Sequence, residues 1–129
     1  GTAQGVWFAK GTKTTYPEDP HLALVHDNFN PSKGALSIGT SFSRSGLDVG
    51  TYYFDPDNSG LVNRDFKEVV PDGNVYCYDS LNKRYGDKIS MSIILQMTSS
   101  ATLRVEKQSM NECGSGPWMF TSTYTDLER

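Results

Sequence analysis

The sequence predicts an all-β domain, a single antiparallel β-sandwich with a small eight-stranded barrel as the alternative architecture. Three observations predict it. From Lys88 to Lys107, Ile89, Met91, Ile93, Leu95 and Met97 alternate with Lys88, Ser90, Ser92, Gln96 and Thr98, and only Ile94 breaks the pattern. After Ser99 and Ser100, Ala101, Leu103 and Val105 fall on one face and Thr102, Arg104 and Glu106 on the other, so two amphipathic strands form a hairpin. Gly, Ser, Thr and Tyr are prominent while Leu and Ala are scarce, a composition that favours strands and turns. Turn signals divide the chain into about eight short apolar or alternating runs, the spacing of sandwiches and barrels. A chain of 129 residues fits one such domain with one core.

In chain order, Val6 to Ala9, bounded by Gly5 and Gly11, predicts the first strand. Tyr16-Pro17-Glu18-Asp19-Pro20 predicts a loop, because prolines so close do not fit a central strand. His21 to His26 predicts a second strand or one helical turn, and Asn28 to Gly34 a turn. Leu36 to Ser43 and Leu47 to Phe54, reversing at Arg44-Ser45-Gly46, predict a second hairpin. Leu61 to Val70 fits one short amphipathic helix or an irregular strand. Pro71-Asp72-Gly73-Asn74 is a turn before a strand at Val75 to Tyr78, and Asp79 to Asp87 reads as a polar connection. After the long hairpin, Asn111 to Pro117 is a Gly-rich turn. Trp118, Phe120, Ser122 and Tyr124, alternating with Met119, Thr121, Thr123 and Thr125, predict the last strand.

Net charge is −3 with no run of Lys or Arg, which argues against nucleic-acid binding, since phosphate neutralisation needs a basic patch. The longest apolar run, Ile93-Ile94-Leu95, falls far short of the ~20 residues of a transmembrane helix, so no transmembrane segment and a soluble protein are expected. The Gly1 start suggests a mature or trimmed product whose signal peptide or lipid-anchor segment, if any, has been removed. Cys77 and Cys113 flank the long hairpin in segments that read as strands or strand ends. An even count without metal-ligand spacing favours a disulfide and an extracellular, periplasmic or cell-surface location; the other reading is two buried thiols. Closing that loop would stabilise the fold by roughly 4 kcal/mol.

The most specific local pattern is Asp55-Pro56-Asp57-Asn58-Ser59-Gly60-Leu61-Val62-Asn63, which resembles the calcium loop of EF-hands and related Asp-rich loops. Asp55, Asp57, Ser59 and Asn63 occupy its positions one, three, five and nine, with glycine at six and an aliphatic residue at eight, which implies calcium as a possible cofactor. Phe66 stands where the bidentate Glu belongs, and a strand rather than a helix precedes the loop. The other reading is a surface turn in which Asp and Asn cap their own backbone.

Gly5-Val6-Trp7 resembles the Gly-x-Trp entrance motif of lipocalin- and avidin-type barrels. The resemblance implies a Trp that closes one end of a barrel and packs against a basic residue of a late strand, a role open to Arg104 or Arg129. The alternative is an ordinary core Trp. Tyr76 and Tyr78 share one strand face and are candidates for an aromatic surface that stacks on a carbohydrate or anchors a protein partner; Tyr52, Tyr53, Tyr85, Trp118 and Tyr124 extend the aromatic set, and packing is the competing role for all of them.

For catalysis the sequence offers no Gly-x-Ser-x-Gly, no His-Glu-x-x-His and no phosphate-binding Gly-rich loop. His21 and His26 are five apart and point to opposite faces of a strand, so with Glu18, Asp19 and Asp27 they suit a solvated acidic loop better than a metal site. The expectation is a non-catalytic exported binding or interaction module, such as a surface lipoprotein or accessory domain with a protein or carbohydrate ligand. The alternatives are a lipocalin- or avidin-like small-ligand carrier and a small secreted effector or hydrolase.

Overall fold

The structure is a computed structural model and describes residues 1–10, 21–39, 42–84 and 86–129. The loop expected at 16–20, with Glu18 and Asp19, and the aromatic Tyr85 lie outside the described residues. The described residues form ten strands: β1 (Gly5–Ala9), β2 (His21–His26), β3 (Gly34–Ile38), β4 (Gly50–Phe54), β5 (Tyr76–Tyr78), β6 (Leu81–Asn82), β7 (Lys88–Ile89), β8 (Ser92–Ser99), β9 (Thr102–Gln108) and β10 (Thr125–Glu128). All pairings between these strands are antiparallel and belong to one sheet, in the order β5-β8-β9-β10-β1-β2-β3-β4-β6-β7.

The chain forces this sheet to curl. β5 lies at one margin and β6 next to the other, yet only Asp79 and Ser80 separate them. β7 is the far margin, and Ser90 and Met91 alone carry the chain from it to β8, one strand in from the near margin. Three residue steps reach no more than ~11 Å. Both margins are therefore held close together and the sheet rolls into a half-barrel. The all-β antiparallel expectation is met, in one curled sheet rather than in two stacked ones.

The concave side is filled by cross-strand rows: Trp7, Leu22 and Ile38; Leu24, Leu36 and Tyr52; Leu95 and Val105; Met97, Leu103 and Leu127. Full burial of each Leu or Ile contributes about 1.5–3 kcal/mol. Phe54, Phe66 and Tyr78 add a cluster of rings with centroids 5.0–5.2 Å apart. Gly34 sits directly under the Phe54 ring, where a Cβ would lie 2.5 Å from ring carbons.

Four segments differ from expectation. The long hairpin begins at Ser92, because Lys88 and Ile89 pair instead with Leu81 and Asn82, a short strand inside the expected polar connection. Between Leu61 and Val70 there is one 3-10 turn, Phe66–Glu68, capped by Asp65, whose carboxylate accepts from the Lys67 amide. Upstream of it, Leu61 and Asn63 hydrogen-bond the backbone of Cys77 and cover the outer margin of β5. The last strand is Thr125–Glu128, not Trp118–Tyr124, and Cys113 lies in a loop rather than a strand.

Residues 109–124 instead cross the convex side as a strap, which explains why Ile94 breaks the alternation. Cys77, Ile94 and Glu106 form one outward-facing row, and the strap buries it. Cys113 is disulfide-bonded to Cys77, and Trp118 and Phe120 pack against Cys77 and Ile94. Glu106, 1% exposed, accepts from the Thr121 amide at 2.9 Å and from the Thr121 and Thr123 hydroxyls. Burial pushes its carboxyl pKa up, but the bonds from Thr121 and Thr123 outweigh that and hold it below the usual value. Its stabilisation is therefore present above the ordinary ~4.3 of a Glu and is lost as pH falls through the lowered value. Glu106→Gln is expected to cost about 2 kcal/mol at neutral pH, and the gap to the parent to close in acid, measured by denaturant titration. A gap unchanged from pH 7 to acid would contradict this.

Candidate functional site

The residues singled out in the sequence fall in different places. Tyr76 and Tyr78 do not form a surface: they face the core at 3% and 0% exposure. Their hydroxyls donate to the Asp72 carboxylate and the Arg64 carbonyl at 2.8 and 2.7 Å. Strand alternation told which residues share a face but not which face is inside. Burial pushes the Tyr78 phenol well above its ordinary pKa, and burial together with Asp72 raises that of Tyr76.

In the Asp55–Asn63 loop Asp57 and Ser59 bond to each other, while Asp55 and Asn63 are turned to partners outside the loop. Asp55 is ion-paired with Lys33 across the β3–β4 strands. Asp57 accepts from the Ser59 amide and hydroxyl at 3.2 and 3.4 Å. Asn63, at φ 54°, donates to the Asp79 carboxylate and accepts from the Asp79 amide. The Asp79 carboxylate in turn accepts from the Cys113 amide at 2.8 Å, so Asn63 helps to seat the disulfide. Among the described residues no group of three or more His, Cys, Asp or Glu is placed to hold a metal ion.

Trp7 is fully buried at one end of the half-barrel, and its indole N–H donates to the Ala3 carbonyl at 2.8 Å. Of the two basic residues named for contact with Trp7, Arg129 is the one that stacks on it, with its guanidinium 4.2 Å from the ring centre. Gly5, at φ +139°, lets the chain pass that guanidinium, which would lie 3.4 Å from a Cβ there. Arg104 is on the convex side, paired with Asp126 and stacked 3.8 Å from the Tyr124 ring centre. His26 pairs with Asp65 at 3.1 Å.

The feature that sequence reasoning missed lies on the convex face of β2, β3, β4 and β6. Val25, Ala35, Tyr53 and Asn82 stand in one outward row. Asp27, Phe29, Asn30, Lys33, Tyr53, Asn82, Lys83 and Arg84 line a cleft of about 210 Å³. Phe29 is 85% exposed at its rim. The loop presenting it is fixed by its own hydrogen bonds: Asp27 amide to Lys33 carbonyl, Lys33 amide to Asn30 carbonyl, Phe29 amide to the Asp27 carboxylate, and Ser32 to the Asn30 side chain.

Arg84 backs the ring. Its guanidinium donates to both Asp27 oxygens at 3.1 and 3.3 Å and to the Tyr53 hydroxyl. It also lies 4.9 Å from the Phe29 ring centre and 4.8 Å from that of Tyr53. Burial works to raise the Asp27 carboxyl pKa, but the Arg84 bonds, the Phe29 amide and the Arg84 charge together hold it low, so it stays an anion. Three cations and one carboxylate line the cleft of a chain whose net charge is −3. The signal in the sequence was Asp27-Asn28-Phe29-Asn30-Pro31: a large aromatic inside a polar turn has no strand period to carry it into a core.

No family model matches the chain, and no curated protein or solved structure is significantly similar to it. No described helix is long and apolar enough to cross a membrane.

Proposed function

We propose that this protein is a non-catalytic binding module of an exported setting, a surface lipoprotein or accessory domain, that takes its ligand at the convex cleft around Phe29. The observation that carries the reading is the Phe29 ring: it is 85% exposed, yet held by a hydrogen-bonded loop and backed by a guanidinium. A large ring kept in water on a rigid mount contributes nothing to the core, and preorganised aromatic anchors of this kind dominate binding energetics. The Cys77–Cys113 bond fits an oxidising compartment. Binding is favoured over catalysis because the cleft's carboxylate is ionised and tied to Arg84, which makes Asp27 a poor proton carrier near neutrality.

A second reading, the small-ligand carrier, is favoured by Arg129 stacking on Trp7 at the barrel end. It needs interior space, and that side is occupied by Trp7, Leu24, Leu36, Tyr52, Phe54 and Tyr78.

Phe29→Ala separates the two. The exposed ring should change stability by no more than about 0.5 kcal/mol, while ligands found by a saturation-transfer screen of small sugars and short peptides are lost. Ligands that persist in the variant would overturn the cleft as the binding site.

A further inference from the structure

We infer that the cleft recognises a single acidic pyranose residue of a longer glycan, one bearing a carboxylate or sulfate group; this rests on the reading of the cleft as a binding site. At about 210 Å³ it is smaller than the ~300–1,000 Å³ clefts that enclose whole drug-sized ligands, so it accepts one ring-sized group projecting from a larger molecule. The free face of Phe29 offers a flat apolar platform, which suits the C–H face of a pyranose.

The charge asks for an anion. Arg84 is neutralised by Asp27 and Lys33 by Asp55, whereas Lys83 forms no ion pair with a described residue and stands beside the Phe29 platform in the same lining. The surplus positive charge of the cleft is therefore at Lys83. The side chains of Asn30 and Asn82 supply amide groups for ring hydroxyls.

The backbone excludes an extended peptide as the better fit. Peptides recognised by a sheet pair with an unpaired edge, but the strands beneath this cleft are interior ones: β3 is paired with β2 and β4, and β4 with β3 and β6. Only side chains face a ligand here. A nucleic-acid strand would need a track of cations along its phosphates, and one surplus lysine does not make one.

The test is calorimetry on the intact chain with defined probes: a galacturonate hexasaccharide carrying carboxylates alone, a carrageenan hexasaccharide carrying sulfates alone, neutral cellohexaose and hexaglutamate. The expected result is saturable binding of one or both acidic sugars, weaker with added salt and absent for cellohexaose. Phe29→Ala and, separately, Lys83→Glu should each lower affinity roughly tenfold or more with the melting temperature unchanged. Which acidic sugar binds decides between carboxylate and sulfate. If only hexaglutamate binds, and the two variants abolish it, the glycan inference is overturned while the cleft stands. Acidic sugars that bind the parent and both variants equally overturn glycan and cleft together, and binding of none of the four probes overturns the glycan inference.

Discussion

Replacing Trp7 with alanine is expected to destabilise the fold by about 3–5 kcal/mol, the largest effect of any single substitution considered, read from the denaturant midpoint. Trp7 is fully buried, and its removal opens a cavity that the neighbouring rows cannot fill without moving the sheet. It also strands the groups organised on it. The Ala3 carbonyl loses its indole donor, and Arg129 loses the ring beneath its guanidinium. Arg129 is itself a clamp: it donates to the Ser100 carbonyl at 2.8 and 3.1 Å and to the Gln4 carbonyl at 3.2 Å, so it ties β10 to the β8–β9 turn and to the start of β1. Arg129→Lys keeps the charge but not the fork, and a loss of about 1–2 kcal/mol is expected from the missing bonds. A cost below about 1 kcal/mol for Trp7→Ala would contradict this account of the barrel end.

Removing the disulfide, by Cys77→Ala with Cys113→Ala, is expected to cost about 4 kcal/mol from loop-closure entropy over a sequence separation of 36. The loss should not be uniform. Cys113 fastens the strap to the convex side, while Ile93, Leu95, Leu103 and Val105 pack on the concave side without it. Amide exchange in the reduced-equivalent variant should accelerate first in residues 109–124 and last in β8 and β9, the behaviour of a locally opening unit. Equal acceleration in strap and hairpin would show that the strap is not a separable layer.

Much of the scaffold was legible because alternation is a local signal. The hairpin around Ser99 and the third strand follow from period-2 runs, and the first strand from a short apolar run bounded by glycines, whereas His21 to His26 fitted a strand or one helical turn. Ile94, the one irregularity in the longest run, marked the place where the convex side is also buried. What failed was information that no local run carries. Leu81–Asn82 is too short to show a period, and Trp118 to Tyr124 alternates like a strand although its rings and threonines serve Cys77, Ile94 and Glu106 from outside the sheet. The choice between Arg104 and Arg129 depended on which face each strand turns inward. The cleft was least legible of all, since the Asp27–Phe29 turn, Tyr53 and Arg84 come from three separate segments that only the pairing of β2, β3, β4 and β6 brings together.

In the proposed function, ligand meets this protein on the convex face and not inside the half-barrel. Amide chemical shifts followed during titration with the acidic hexasaccharide test it most directly. The amides of residues 27–30, 32 and 33, Tyr53, Asn82, Lys83 and Arg84 are expected to shift together while those of Leu24, Leu36, Tyr52 and Leu103 stay in place. Shifts concentrated on those four concave residues, with the Phe29 loop unmoved, would contradict it.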